Sequence, residues 1–180
     1  NKGETFWDRF VVRVAPAENN LPYREASRIN IHRDTWGTNL YQQINWWAPV
    51  SNVEEKNTMI FYPDYFDVPV KNTTSTWDLN IYLANRKKGD FSYPSAPQLK
   101  EDLPSNINKI PVTIKPGEIL CFSGAHLHSS SKEKSENTRI SFEIRTICEN
   151  DLNSSAQAPN VDCDLQWKFP KIFKKINDNS

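Results

Sequence analysis

The sequence predicts an all-β fold, a sandwich or jelly roll with minor helical segments, and three observations carry that expectation. Short apolar runs rich in Val, Ile, Phe and Trp recur along the chain, each bounded by turn residues. Twelve prolines and five glycines punctuate the 180 residues and leave little room for long helices. No stretch alternates strand and helix in the manner of a βαβ unit, which argues against a parallel sheet. The length suits one domain over residues 1–180 with a core of its own, and residues 149–180 are expected as an Asn/Asp-rich C-terminal tail.

Taken in order, Thr5–Val14 ends in FVVRV and is closed by Pro16, so it reads as a strand. Glu18–Glu25 is polar and reads as a loop. Arg28–Asp34, RINIHRD, alternates cleanly: Ile29 and Ile31 face one side, and Asn30, His32 and Asp34 the other. A strand is expected there, followed by a short turn at Gly37. Tyr41–Val50, YQQINWWAPV, is a further strand with Gln43 and Asn45 on one face and Ile44 and Trp46 on the other. Thr58–Tyr62 is the next, and an aromatic, proline-cut connection leads to Val70. Trp77–Leu83 fits either a strand or a short helix. Arg86–Asn108 is polar and proline-rich, an exposed excursion of the kind that forms lids and binding loops. Ile110–Ile114, Ile119–Phe122 and Arg139–Ile147 complete the strands, and an apolar-basic patch at Trp167–Ile176 is expected to dock as a last element.

Lys+Arg and Asp+Glu number 22 each, so no net field draws the chain to nucleic acid or an anionic membrane. The mean hydropathy of −0.69 fits the lack of any long apolar run. Three widely spaced cysteines form neither a disulfide framework nor a zinc knuckle, and a reducing cytoplasm is the expected setting. Cys121, inside an apolar run, is expected to be a small core residue.

The chemistry concentrates in Pro116–Arg145, PGEILCFSGAHLHSSSKEKSENTRISFEIR. An apolar strand ends in His126-Leu-His128; a polar loop, Ser129–Asn137, connects it to a strand whose alternation sets Arg139, Ser141, Glu143 and Arg145 on one face. The two strands are expected as antiparallel neighbours in one sheet. The chain has three histidines, and the remaining one, His32, shares its strand face with Asp34. One imidazole and one carboxylate from a strand, joined by a distant imidazole, make a 2-His-1-carboxylate set that suits non-haem Fe(II) and leaves positions open. Arg139 with the nearby Ser141 hydroxyl is a natural carboxylate receptor; its bland alternative is a salt bridge to Glu143. Asn45 is a candidate for the near end of a bound co-substrate. Trp36, Trp47, Tyr62 and Tyr65 either line a mouth or fill the core.

HRD at 32–34, QINWWAP, PGEILCFSGAHLHSS and NTRISFEIR together resemble the Fe(II)/2-oxoglutarate dioxygenases of the phytanoyl-CoA dioxygenase-like group, over roughly Phe10 to Thr146. The resemblance implies a double-stranded β-helix, which is a cupin-like jelly roll, with His32, Asp34 and the distal histidine holding iron. It implies that Arg139 binds the distal carboxylate of 2-oxoglutarate, and that O2 is consumed as 2-oxoglutarate gives succinate and CO2. Halogenating relatives carry a small residue where Asp34 stands, so the carboxylate implies hydroxylation of a small-molecule substrate. Relatives carry a longer helical region than the 31 residues that precede His32, so either a preceding segment or a minimal version of the fold is expected. Two other classes share these features. One is a non-catalytic jelly-roll binding module. The other is a cupin-type metal isomerase or zinc hydrolase, which would need neither oxygen nor Arg139.

In the family the distal histidine is followed by small or hydroxyl residues, with the arginine about 11 later. His128-Ser-Ser fits, since Arg139 lies 11 residues on, whereas it lies 13 from His126. His128 is therefore the expected ligand, and His126 is left without a role. The expected outcome is that His128→Ala abolishes iron binding while His126→Ala only weakens turnover; the reverse result contradicts this choice.

Overall fold

A computed structural model describes residues 3–17, 29–131, 133, 135–168 and 172–176. Glu18–Glu25, Arg28 and parts of the Ser129–Asn137 and Trp167–Ile176 stretches lie outside the described residues. The strands are β1 (Thr5–Trp7), β2 (Val11–Ala15), β3 (Ile44–Pro49), β4 (Met59–Phe61), β5 (Ile110–Pro111), β6 (Leu120–Ser123), β7 (His128–Ser130), β8 (Arg139–Cys148) and β9 (Lys174–Lys175). The helices are α1 (Thr35–Thr38), α2 (Leu79–Lys87) and α3 (Glu149–Leu152), with a 3-10 turn at Pro63–Tyr65. The architecture is thus mostly antiparallel strand with few helices, as expected. No helix among the described residues is long and apolar enough to cross a membrane.

The long strand β8 organises the larger sheet, of order β6-β3-β8-β1-β9, with β2 also paired to β8. Its alternation buries Arg139 and Ser141 and exposes Ile140, as the period of two requires. β3 lies along one edge, with Asn45 opposite Arg145 and Trp47 opposite Glu143. β1 and β2 share the other edge. The single strand expected over Thr5–Val14 is two, because Asp8 breaks it. The Asp8 N–H donates to the Arg145 carbonyl at 3.1 Å, but its side-chain Oδ1 accepts the Arg145 N–H at 2.9 Å, in place of a backbone carbonyl.

The smaller sheet runs β5-β4-β7. Here the structure corrects an expectation: His128 and Arg139 hang from different sheets, not from neighbouring strands of one. β7 has no edge left for β8. One side pairs with β4, Phe61 opposite His128, and the other faces Ile29–His32 through Ser130 N–H to Ile29 carbonyl (2.9 Å) and the His32·His128 bridge. The RINIHRD strand is also not formed. It reduces to that one bridge, because Asp34 turns into the right-handed helical region (φ −65°, ψ −29°) and opens α1 where only a turn was expected.

Trp77–Leu83 resolves as helix, with Asp78 Oδ1 accepting the Asn80 N–H at 2.7 Å as its N-cap, and Arg86 and Lys87 in the last turn. The Arg86–Asn108 excursion is half-tethered: Leu99, Leu103 and Ile107 pack on the core cluster of Trp36, Tyr41, Tyr62, Leu127, Cys163 and Leu165. Cys121 is exposed, contrary to expectation, since alternation in β6 turns Leu120 and Phe122 inward; the buried cysteine is Cys163. Nor does the C-terminal segment trail away. Cys163 and Leu165 join the Trp36 cluster, Phe173 packs with Leu40 and Ile147, and Lys174–Lys175 pairs with β1.

Arg33, the middle residue of HRD, fastens the segment that carries the two flanking residues. It is 2% exposed, and its guanidinium donates to Asp162 Oδ2 (3.1 Å) and to the carbonyls of Ala125 (2.6 Å), Tyr65 (2.6 Å) and Val68 (2.9 Å). Asp162 in turn accepts from Trp36 Nε1 at 2.7 Å and the Val70 N–H at 3.1 Å. Breaking a buried, satisfied pair by removing one partner costs about 3–5 kcal/mol. Arg33→Met is therefore expected to lower stability by that amount in urea unfolding; a loss below about 1 kcal/mol would contradict the clamp.

Candidate metal centre

His32 and His128 form a reciprocal antiparallel pair: the His32 N–H donates to the His128 carbonyl at 2.9 Å and the His128 N–H to the His32 carbonyl at 3.0 Å. Directly opposed residues in such a pair project to the same side, and the ring centroids stand 4.3 Å apart. Each Nδ1 lies beside the carbonyl two residues back, Asn30 for His32 (2.8 Å) and His126 for His128 (2.9 Å). A carbonyl only accepts, so each Nδ1 carries the proton and each Nε2 keeps its lone pair. Both Nε2 atoms approach one carboxylate: His32 Nε2 lies 3.5 Å from Asp34 Oδ1, and His128 Nε2 3.8 Å from Asp34 Oδ2.

Asp34 reaches this position because it begins α1 without capping it; its side chain makes no hydrogen bond to the helix N–H groups. Asn45 Nδ2 donates to Asp34 Oδ2, and Asn45 Oδ1 accepts from Gln43 Nε2 at 2.8 Å. Gln43 Oε1 accepts from the Thr38 hydroxyl at 3.1 Å, closing a buried relay back to α1. Gly124 lets these groups close up: a Cβ there would stand 2.7 Å from Gln43 Nε2 and 3.5 Å from Asp34 Cβ.

Burial raises the Asp34 pKa, but the His32 contact and the pull of His128 and Arg145 outweigh it and hold the carboxyl well below the usual range. Burial, with His32 adding to it, pushes His128 down to about 4 against the opposing pull of Asp34. At neutral pH His128 is therefore a neutral imidazole beside an ionised carboxylate. Ligand atoms of His32, Asp34 and His128 all lie within 4.8 Å of one another, so the three could hold a metal ion together. Two imidazole nitrogens and one carboxylate, without thiolate, suit a divalent first-row metal, and the carbonyl-bound Nδ1–H groups are the outer partners such ligands carry.

The other expected residues sit on the inward face of β8. Arg139 is 2% and Ser141 0% exposed, yet Arg139 Nε and Ser141 Oγ are buried without a hydrogen-bond partner. Arg139 lies over the Trp47 ring, 5.6 Å from its centroid. Burial, then the charge of Arg13, pushes Arg139 down to about 10 against the pull of Glu143, which still leaves it charged at neutral pH. An unpartnered buried donor costs about 1–3 kcal/mol, more when charged, and asks for a reason.

His126 is half-buried outside the trio, its ring 4.6 Å from Phe66 and 5.5 Å from Phe61. Burial and then Arg33 lower its pKa. Its contribution to the centre is its carbonyl, which orients His128. Phe61 and Phe122 form an aromatic wall beside His128, at 5.9 and 5.4 Å. Trp36, Trp47 and Tyr62 are buried in the core clusters.

Sequence reasoning missed Gln43, Thr38, Gly124 and the Asp8–Arg145 pair. Arg145 Nε donates to Asp8 Oδ2 at 2.6 Å, and Asp34 is the foremost charge that holds the Arg145 proton against burial. Arg145 was visible on the Arg139 face of its strand; Asp8 carried no signal.

No protein-family model matches the sequence, and no curated protein matches it. Solved structures do. A non-heme monooxygenase, ThoJ in its apo form, aligns with TM-score 0.53 and 14% identity over 81% of this chain and 47% of that one. SnoK, a non-heme alpha ketoglutarate dependent carbocyclase from nogalamycin biosynthesis, aligns with 0.52 and 13% over 97% and 63%. EvdO2 from Micromonospora carbonacea var. aurantiaca, complexed with 2-oxoglutarate, aligns with 0.52 and 11% over 91% and 59%. At these identities the likeness shows the fold alone. The chain spans less than two thirds of each.

A depressed histidine pKa has a definite sign. The unfolded chain takes up the His128 proton near 6.5 and the folded one only near 4, so the stability His128 contributes is present above about pH 6.5 and lost as pH falls toward 4. For the metal-free protein this amounts to about 3 kcal/mol at most. His128→Asn is expected to flatten the melting temperature between pH 6.5 and 4; an unchanged pH profile would contradict the assignment.

Proposed function

We propose that this chain is a non-haem Fe(II), 2-oxoglutarate-dependent oxygenase of the phytanoyl-CoA dioxygenase-like kind, a double-stranded β-helix domain that hydroxylates a small molecule. The observation that carries the reading is a pair of unmet demands in one interior. Two imidazole Nε2 atoms and a carboxylate converge within 4.8 Å of one another, while Arg139 Nε and Ser141 Oγ are buried without a hydrogen-bond partner among the described residues. A divalent metal answers the first and a carboxylate the second. 2-Oxoglutarate has a carboxylate to spare after its oxo-acid end is placed. The named activities of ThoJ and SnoK, and the 2-oxoglutarate bound to EvdO2, support the same reading.

Fe(II), when bound, supplies the one-electron and oxygen chemistry that no side chain provides. His32, Asp34 and His128 would hold it, with Asp34 providing the single negative charge and Asn45 fixing one of its oxygens. Arg139 would bind the distal carboxylate of 2-oxoglutarate and Ser141 would donate to it. Phe61 and Phe122 pack beside His128 and the Trp47 ring beside Arg139, apolar surfaces that would limit water there. In the overall reaction one oxygen atom of O2 enters succinate as CO2 leaves, and the other enters the hydroxylated product. The three unpaired cysteines fit a reducing, cytoplasmic setting.

Anaerobic addition of Fe(II) and 2-oxoglutarate to the protein is expected to produce a visible absorption band. Arg139→Ala should raise the 2-oxoglutarate concentration needed by about 10–100-fold, the worth of a charge-assisted hydrogen-bond pair. Folded wild-type protein that forms no band contradicts the proposal.

A further inference from the structure

The inward face of β8 and its neighbours carries three guanidinium groups, and their anions are unequally shared. Arg145 is held by Asp8 through Nε and Nη2, each 2.6 Å from Asp8 Oδ2. Arg13, on β2 directly across from Ser141, donates through Nη2 to Glu143 Oε1. Arg139 alone of the three has no anion among the described residues. Glu143 sits on the same strand face four residues along, ~13 Å away at the backbone, but the Arg139 guanidinium lies over the ring of Trp47, the residue that pairs with Glu143, and the charges of Glu143 and Arg13 both act on it. The structure forms no ion pair between Arg139 and Glu143. Arg13 takes the carboxylate instead.

We propose that Arg13 is a positioning residue that holds Glu143 away from Arg139, so that the Arg139 guanidinium stays open for an incoming carboxylate. This rests on the reading of Arg139 as the 2-oxoglutarate clamp. Arg13 can do this because it is part-exposed and reaches in from an adjacent strand; its side chain is 24% exposed, and that of Glu143 34%. The Glu143 carboxylate is therefore held on the part-exposed side, in contact with Arg13, while Arg139 is buried. Without Arg13, the nearest cation not already paired is Arg139 itself, and Glu143 would occupy the place of the co-substrate carboxylate as an internal competitor. The arrangement also sets local charge: Arg13 and Glu143 cancel, leaving the single positive charge of Arg139 to meet a single carboxylate.

The test is calorimetric titration of 2-oxoglutarate into Mn(II)-loaded protein. Arg13→Met is expected to weaken binding by about 10-fold or more. Glu143→Gln is expected to bind as tightly as wild type or tighter. The double variant R13M/E143Q is expected to return to within about threefold of wild type, since the competitor and its keeper leave together. Should R13M fail to fold, R13K, which keeps the charge, and the double variant carry the test, and both must bind like wild type. R13M binding as wild type, or a double variant as weak as R13M, overturns the proposal, the latter by showing that Arg13 touches the ligand directly. Wild-type protein that does not bind 2-oxoglutarate overturns the functional reading and this inference with it.

Discussion

The reciprocal backbone pair between His32 and His128 is the constraint on which the rest of the site depends. Two hydrogen bonds join a segment that is hardly a strand to the start of β7, and so bring together imidazoles from distant parts of the chain. The same geometry leaves each Nδ1 beside a carbonyl two residues back, which fixes both tautomers at once. Arg33, projecting to the other side of HRD, spends its guanidinium on Asp162 and four backbone carbonyls. The ligand segment is thereby held from both sides, by a sheet-like bond in front and an ion pair behind.

Around that constraint the interior polar groups pair off almost completely. Asp8 takes Arg145, Glu143 takes Arg13, Gln43 takes Asn45, and Asn45 takes Asp34. What is left over is informative, because buried polar groups without partners are costly. Among the described residues the buried side-chain atoms without a partner are Arg13 Nε, Thr35 Oγ1, Tyr41 Oη, Arg139 Nε and Ser141 Oγ, and of these Arg139 and Ser141 share the inward face of β8. Under the proposed function, His32, Asp34 and His128 would take the metal and Arg139 with Ser141 the anionic co-substrate. The fold of the chain is shared with ThoJ, SnoK and EvdO2.

Much of this was legible in the sequence where a period of two held. In β8 the alternation placed Arg139 and Ser141 inward correctly, and in β3 it kept Gln43 and Asn45 together. His32, Asp34 and His128 were expected together from residue type, spacing and the family resemblance, and the structure does gather them, although the strand thought to align the first two is absent among the described residues. Asp34 joins His32 through the turn into α1, a different cause with the same result. The failures share a reason: each was decided by a tertiary partner. Asp8 broke a strand by offering its side chain to Arg145, and β7 left β8 because both of its edges were already taken. Cys121 faced outward because its neighbours in β6 had better core to fill. His126 resembled His128 in sequence, but the fold sets its ring against Phe61 and Phe66, outside the trio.

The measurement closest to the central claim is long-range 1H–15N correlation of the imidazole rings during titration with Zn(II), which three histidines make readily assignable. The account predicts Nδ1–H tautomers for His32 and His128 before metal is added, and metal-induced shifts at Nε2 of these two rings alone. A metal-induced shift at His126, or none at His32 and His128, would contradict it.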